Sequence, residues 1–494
     1  MSHVTCLLFY YGDSPVYNCY YRSTWRFVKS ASSILSSPMR GVCSAASTVV
    51  EWVPMTNITF LTLIAVILFM STGVTGPISS LYAESLGASY VIIGLLGTVS
   101  SLTMILFGYA WGRASDRAGQ RRVFLVTSLA TLSLSYVGLS LAPGYGWLFA
   151  LHVVSAFAKA GYGTTSLALM GDLLEQRPDE RGRRMGVYRG LGSLGFGIMA
   201  FLSGRLADRF SLRVPFALAA CLAAVACVLA LRIREPASSG EIRSIRLSGL
   251  TFSKALARAR GAVVDAWGRV VRFARWPSSS RVRGSRSGSE GAPDFQGGMP
   301  RLPLAPLLVS AFLWSLVTGA VYAVWANYMV GGLGYSQAAM SALWSLASTS
   351  EFPLMILAGW LSDRIGRLPM LSLGFVAWTI VFVGYVAAPM MPWIVAIQLV
   401  RGFAYSAYTA TAMTYAAEVR SRQQRGQASG LYSSAGGLGA ILGSSMGGTL
   451  TQLSGFRTMI ATNAALIFAG AAYLGIEAAR WGRNVRARVA PTAE

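Results

Sequence analysis

The chain has 494 residues, of which 54% are hydrophobic and only 12% charged. Soluble globular domains carry about a quarter charged residues, so this composition excludes an ordinary water-soluble protein and points to lipid. A net charge of +23 would suit nucleic acid only on the basic face of a soluble module; here the Lys and Arg residues sit in short connections between apolar runs, which excludes that reading.

Residues 1–54 mix Cys, Ser, Tyr and basic residues, with no run long enough to cross a bilayer and no signal-peptide pattern, and a disordered extension is expected there. Met55 stands directly before the first long apolar run. From that point, runs of about 20 apolar residues recur along the chain. The predicted spans are 58–82, 90–111, 122–142, 146–171, 184–204 and 214–232, then 305–330, 337–360, 369–388, 392–417, 425–449 and 456–478. They group as a six-helix half over 55–232, a Ser-, Gly-, Pro- and Arg-rich linker over 233–304, a second six-helix half over 305–480 and a tail over 481–494. In the linker, Leu256, Val263, Trp267, Val271 and Phe273 alternate with Arg258, Arg260, Arg269 and Arg272 at helical spacing, as in an interfacial helix resting on anionic lipid.

Basic residues cluster in alternate connections: 113–122, 177–184, 232–301, 364–367, 420–425 and 480–488. The connections at 83–89, 142–146, 331–335 and 388–392 carry almost no charge. This alternation places the basic loops and the C-terminus in the cytoplasm of a multi-pass protein of the cell (plasma or inner) membrane. The connection after the fifth span, with Arg205, Arg209, Arg213 and Asp208, departs from the pattern. Five cysteines show neither metal-ligand spacing nor a disulfide framework, and two histidines make no metal site, so no metal or other cofactor is expected.

Internal repeats are the strongest signal. Gly112-x-x-x-Asp116-Arg117-x-Gly119 returns 247 residues later as Gly359-x-x-x-Asp363-Arg364-x-Gly366, and Leu86-Gly87-Ala88-Ser89 returns as Leu333-Gly334-Tyr335-Ser336 at the same offset. Arg181-Gly182, Gly186-Val187-Tyr188 and Gly204 return at an offset of 244 as Arg425-Gly426, Gly430-Leu431-Tyr432 and Gly448, while Trp147 and His152 match Trp393 and Gln398 at 246. Near-constant offsets across several spans indicate duplication of a six-helix unit. The fold class is all-α integral membrane, with twelve transmembrane helices as two six-helix pseudo-repeats.

The Gly112–Arg122 segment resembles the signature loop of the major facilitator superfamily, and Gly359–Arg367 resembles its weaker second copy. Asp172–Tyr188 is similar to that superfamily's inner end of helix four. The resemblance covers residues 58–480 and implies a secondary transporter. It also implies a conformational latch formed by Gly112, Asp116, Arg117, Gly119, Asp172, Arg181, Arg183, Gly359, Asp363, Arg364, Gly366 and Glu418, in which Asp116 accepts from a facing helix N-terminus or from Arg181 or Arg183. Drug–proton antiporters of the superfamily carry Gly-Pro-x-x-Gly-Gly on helix five; Met199–Gly204 lacks the proline, a departure from efflux. The Gly439-x-x-x-Gly443-x-x-x-Gly447 ladder reads as a close-packing face.

Polar groups inside the spans mark the candidate site. His152, Ser155, Lys159, Tyr162 and Ser166 share one face of the fourth span, and Gln398, Arg401, Tyr405 and Tyr408 share the matching face of the tenth. Trp314, Tyr322 and Trp325 on the seventh join them. Lipid cannot satisfy such groups, so a central cavity between the halves is expected, with Lys159 and Arg401 offering positive charge to an anionic or polar solute. Glu351 lies about 12 Å along its helix from Gly359, and its repeat partner is Met104. A carboxylate at that depth costs a few kcal/mol unless paired or protonated, which makes Glu351 the candidate for proton coupling, with a fixed ion pair to Lys159 or Arg401 as the alternative. Glu84, at the outer end of the first span, reads as solvated.

The resulting expectation is alternating-access transport of a small organic solute by a monomer, with no nucleotide-binding motif, no nucleophile–base pair of an enzyme and no nucleic-acid partner. A membrane sensor or assembly factor that keeps the fold without transporting is the rival reading.

Overall fold

The computed structural model describes residues 6–11, 14–19, 57–175, 181–233, 302–387, 390–419 and 425–489. The interfacial helix expected within 233–304 lies outside the described residues. The chain forms two units, 1–54 and 55–494. In the first, strands β1 (Cys6–Tyr11) and β2 (Ser14–Cys19) pair antiparallel with Cys6 opposite Cys19 and Tyr11 opposite Ser14. Where disorder was expected, the aromatic and branched run from Leu7 to Tyr11 and the Val16-Tyr17 pair favour extended backbone.

The second unit is a bundle of long helices. The first predicted span is broken: α1 (Asn57–Thr75) and α2 (Ser79–Ser85) flank Gly76 and Pro77. Pro77 has no N–H to donate and its ring clashes with the carbonyl four residues back, so the ladder cannot run through. Then come α3 (Tyr90–Ala118), α4 (Arg121–Ser140), α5 (Tyr145–Glu175), α6 (Arg181–Arg209) and α7 (Val214–Ala230). After the linker follow α8 (Leu304–Asn327), a π-helical turn at Tyr328–Gly332, α9 (Gln337–Ile365), α10 (Arg367–Ala387), α11 (Met391–Glu418) and α12 (Arg425–Val489), the last broken at Gly455 with φ 84°. Among the described residues seven helices are long and apolar enough to cross a membrane. The helices with the polar stripe and its acid, α5, α9 and α11, are not among them. Leu134, Ile198, Ile356 and Phe468 are exposed on the outside, as a lipid-facing surface requires.

The repeats have local physical causes. Ser89 caps α3 by accepting from the Ile92 amide at 3.4 Å, and Ser336 caps α9 by accepting from Ala339 at 3.1 Å. Gly87 and Gly334 supply left-handed backbone two residues earlier, at φ 87° and 74°. The signature segments are helical where a loop was expected. Residues 112–118 finish α3, and the turn falls on Gly119, at φ 63°; the second copy turns on Gly366, at φ 95°. A helix satisfies its own backbone, so it runs on past the last apolar residue into the charged segment.

The helices pack as two sets. In one, α1 contacts α6 and α7, α4 contacts α5 and α7, and α3 contacts α5; in the other, α12 contacts α8 and α10, and α11 contacts α9 and α10. The glycine ladder does what its spacing implies: a Cβ on Gly439, Gly443 or Gly447 would strike the carbonyl of Phe312, Leu316 or Ala320 on α8. The sets meet through α6 with α9 and α3 with α12. At the end of the bundle away from the basic loops, here the neutral end, these contacts reach backbone: a Cβ on Gly448 would strike the Tyr90 carbonyl, and one on Gly204 the Gln337 carbonyl.

Gly448→Leu therefore overpacks the α3–α12 contact and should disfavour the closed neutral end by about 1–3 kcal/mol, roughly a 5- to 150-fold shift. Spin labels at Ser85→Cys and Leu333→Cys should report a longer separation in that variant than in the parent.

Candidate functional site

Polar groups fall in three layers along the bundle, of which the first bonds across the two sets. At the neutral end, the Asp208 carboxylate accepts from the Ala338 amide at 2.8 Å and the Gln452 side-chain oxygen accepts from the Tyr90 amide at 3.1 Å. Asp208 and Gln452 are 244 residues apart, the offset of the later repeats, so each set caps the first turn of a helix in the other. Glu84, expected to be solvated, is half-buried and bonded to protein. It accepts from the Asn327 amide at 2.6 Å and from the Tyr90 hydroxyl at 2.9 Å, and Asn327 is fully buried. The Asn327 amide also donates to the Ser80 carbonyl at 3.3 Å. One carboxylate thus joins α2 and α3 to the end of α8.

The middle layer holds the predicted cavity residues. On α5, His152 Nδ1 lies 2.8 Å from the Leu148 carbonyl, which can only accept, so that nitrogen carries the hydrogen. Lys159 sits 5.7 Å from the Tyr136 ring centre. Tyr162 meets the Tyr188 hydroxyl at 3.4 Å, and Tyr188 donates to Ser166 at 3.3 Å. The second set repeats the pair: the Tyr408 and Tyr432 hydroxyls are 3.3 Å apart. A cavity of about 130 Å³ opens within the first set between Thr75, Ser79, Ser100, Tyr136, His152 and Lys159.

The second set packs its centre instead. Arg401 is only 3% exposed, with Trp344, Tyr322 and Trp325 ring centres at 5.2, 5.3 and 6.0 Å from its guanidinium carbon. Gln398 is fully buried and accepts from the Tyr385 hydroxyl at 3.2 Å; Trp325 is also fully buried. These two lie behind the other residues of the predicted site and have no exposed surface. Trp314 stacks on Tyr408 at 4.4 Å and meets Tyr405 at 5.8 Å. Glu351 is half-buried on α9, and Arg401 is the cation whose charge acts on it. No residue described pairs with Glu351 within ion-pair distance, so the fixed salt bridge weighed from the sequence is not formed.

The basic end carries the third layer. Arg121 bridges Asp116 at 3.0 Å and Asp172 at 2.5 Å, tying α3, α4 and α5. Arg367 bridges Asp363 at 2.5 Å and Glu418 in a fork at 2.8 and 3.0 Å, tying α9, α10 and α11. The sequence brought the four acids to notice and expected Asp116 to accept from a facing helix N-terminus or from Arg181 or Arg183, whose side chains lie outside the described residues. The cation is the first or second residue after the turn glycine, because the left-handed turn folds it back over the preceding helix end. Arg364 lies over the Trp360 ring at 3.7 Å. Gly112 and Gly359 would meet nothing within 4 Å on gaining a Cβ. Gly112, Arg113, Asp116 and Arg117 line an open groove of about 580 Å³. Among the described residues no group of three or more His, Cys, Asp or Glu is placed to hold a metal ion.

Tyr136, Tyr188, Trp344, Tyr385 and Asn327 belong to these layers and escaped the sequence reading. Tyr188 and Tyr432 had a signal, since they occur in matched repeat segments; Trp344 and Asn327 had none, because the repeat partner of Trp344 is Gly97 and that of Asn327 is Ser80.

A family model described as the MFS_1 like family matches residues 47–461. An uncharacterized MFS-type transporter of Methanocaldococcus jannaschii is 23% identical, over 81% of this chain and 90% of the relative. A putative sugar efflux transporter of Deinococcus radiodurans is 24% identical, over 83% of this chain and 95% of the relative. Among solved structures, a mutant of the nucleoside transporter NupG superposes with a TM-score of 0.66 at 14% identity, covering 85% of this chain and all (100%) of that one.

Glu84→Ala removes the acceptor of a buried amide and should cost the closed neutral end about 1–3 kcal/mol, a roughly 5- to 150-fold shift. A cysteine introduced at Ser80 should then react correspondingly faster with a charged thiol reagent, and Glu84→Gln, which keeps an acceptor, should fall between the two.

Proposed function

We propose, on the premise that the chain belongs to the MFS_1 like family, that it is a secondary transporter that moves a small organic solute across the membrane by alternating access. Its working fold is twelve transmembrane helices in two six-helix halves, 55–232 and 305–480, with α1 and α2 forming one span and α12 forming two across Gly455. The positive-inside pattern orients the basic loops and the C-terminal tail to the cytoplasm of the cell membrane, so the neutral end is extracellular. The basic linker over 233–304 then faces anionic lipid at the cytoplasmic leaflet.

The observation that carries this reading is the one-sided closure. Contacts between the halves run from Gly448 and Gly204 down to Gly437 against Ile105 and Gly190 against Phe352. Beyond them the Gly112 groove lies open, as in a state facing the cytoplasm. Gly112 and Gly359 face open space here, and the close helix approach that glycine permits would be used in the opposite state. Each half is tied internally at its basic end by one arginine between two acids, so the two can rock as bodies about the central layer. The latch residues Asp116, Asp172, Asp363 and Glu418 hold each half rigid in this state.

The solute site lies at mid-depth between the first-half stripe of His152, Lys159 and Tyr162 and the second-half face of Trp314, Tyr322 and Tyr405, with Arg401 behind. Glu351, half-buried and without a salt bridge among the described residues, is the proton-coupling group. In proteoliposomes screened with candidate solutes, an imposed proton gradient should drive accumulation in the wild type. Glu351→Gln should abolish that accumulation while leaving solute exchange intact; gradient-driven accumulation unchanged in Glu351→Gln refutes the coupling role.

A further inference from the structure

The two halves treat equivalent positions in opposite ways. The α11 positions matching His152, Ser155 and Lys159 at an offset of 246 are Gln398, Arg401 and Tyr405. In the second half that region is filled: Arg401 lies among Tyr322, Trp325 and Trp344, Gln398 is bonded to Tyr385, and Trp325 and Trp378 are fully buried. In the first half it is hollow, about 130 Å³ beside the break in the first span at Gly76-Pro77. The hollow is polar. Tyr136 lines it with only 1% of its surface exposed, and its hydroxyl has no hydrogen-bond partner. Ser79 and Ser100 add hydroxyls, and the Lys159 ammonium has no acid within ion-pair distance among the described residues.

The two cations differ in access. Arg401, buried with its Nε and Nη1 unpartnered, is enclosed by the Tyr322, Trp325 and Trp344 rings. Lys159 is half-buried, has one aromatic face, that of Tyr136, and has no acid within ion-pair distance among the described residues. The phenol is buried without a partner, which is costly, and the half-buried ammonium faces the same hollow. A ligand carrying an oxyanion can satisfy both: one oxygen pairs with the ammonium and the other accepts from the phenol hydroxyl. His152 donates from Nδ1 to the Leu148 carbonyl, so its Nε2 is left to accept from an O–H or N–H next to that anionic group.

We infer that the first-half hollow is a carboxylate subsite, in which the transported solute places its anionic group between Lys159 and the Tyr136 hydroxyl, and that Arg401 is held within the second half and does not contact it. This rests on the transporter reading above and names its substrate class: small organic carboxylates.

The test uses the purified full chain in phosphatidylcholine nanodiscs, so that no anionic lipid competes, and titrates matched acid and amide pairs of rising body size: acetate and acetamide, benzoate and benzamide, octanoate and octanamide. At least one acid should bind, and its amide should bind at least about tenfold more weakly. Lys159→Met should weaken the acid by a similar factor, roughly tenfold or more, while Lys159→Arg, which keeps the charge, restores most of it. Tyr136→Phe, which keeps the ring, should weaken the acid and leave the amide unchanged. Amides binding as well as acids, no acid binding at all, or Lys159→Met binding the acid like wild type while folded by its melting curve overturns the inference. Flux of maltose or uridine in proteoliposomes that benzoate does not inhibit also overturns it, and leaves the transporter reading standing; no flux of any solute, acid or neutral, would count against that reading instead.

Discussion

Backbone contact between helices at the neutral end is the constraint on which the rest of this structure depends. Lipid offers no hydrophobic drive to bring two apolar helices together, so association rests on close packing and on hydrogen bonds that lipid cannot supply. Gly94 and Gly448 let α3 and α12 touch through main-chain atoms, and Gly204 does the same for α6 against α9. That approach carries Gln452 to the amide of Tyr90 and Asp208 to the amide of Ala338, which are first-turn donors without an acceptor in their own helices. It also brings Glu84 to Asn327. Helices are stiff, so contact at one end and divergence at the other are a single geometric fact, and the groove beside Gly112 follows from it.

Each set is braced at its other end by the same device. An acid late in one helix, an arginine just past a left-handed glycine and a second acid 51 residues beyond the arginine close a triangle over three helices. The pairs are partly exposed, and exposed ion pairs add little to stability by themselves. Their value here is geometric, since the fork from Arg367 to Glu418 fixes the spacing of helices that bear the central residues.

The centre shows where the matched segments of the two sets agree and where they differ. The Tyr162–Tyr188 and Tyr408–Tyr432 pairs keep the symmetry of the two sets. Around them the symmetry lapses: Ser155 faces Arg401 across the repeat, Lys159 faces Tyr405, and Gly97 faces Trp344. One half therefore buries a cation in its own aromatic rings and the other leaves a cation beside a hollow. Equivalent backbone positions have become a packed wall and a polar recess through side-chain volume and charge alone.

Much of this was legible in the sequence, and the boundary of legibility is physical. Apolar runs matched to bilayer thickness pointed to a multi-pass helical chain, near-constant offsets exposed the repeated sequence segments, and the 3.6-residue period put His152, Lys159 and Tyr162 on one face and Gly439, Gly443 and Gly447 on another. These are properties of one helix at a time, set by local backbone geometry and by the solvent. What only the tertiary structure decided involves partners from different helices. Arg121 holds Asp116 and Asp172, and Arg367 holds Asp363 and Glu418. Glu84, half-buried, meets an amide 243 residues away. Trp325 and Gln398 point inward yet end behind the surface. Glu351 stands without a salt bridge among the described residues. Periodicity orients a side chain about its own axis, but which neighbour fills the space in front of it depends on how closely whole helices approach, and that distance is set by packing.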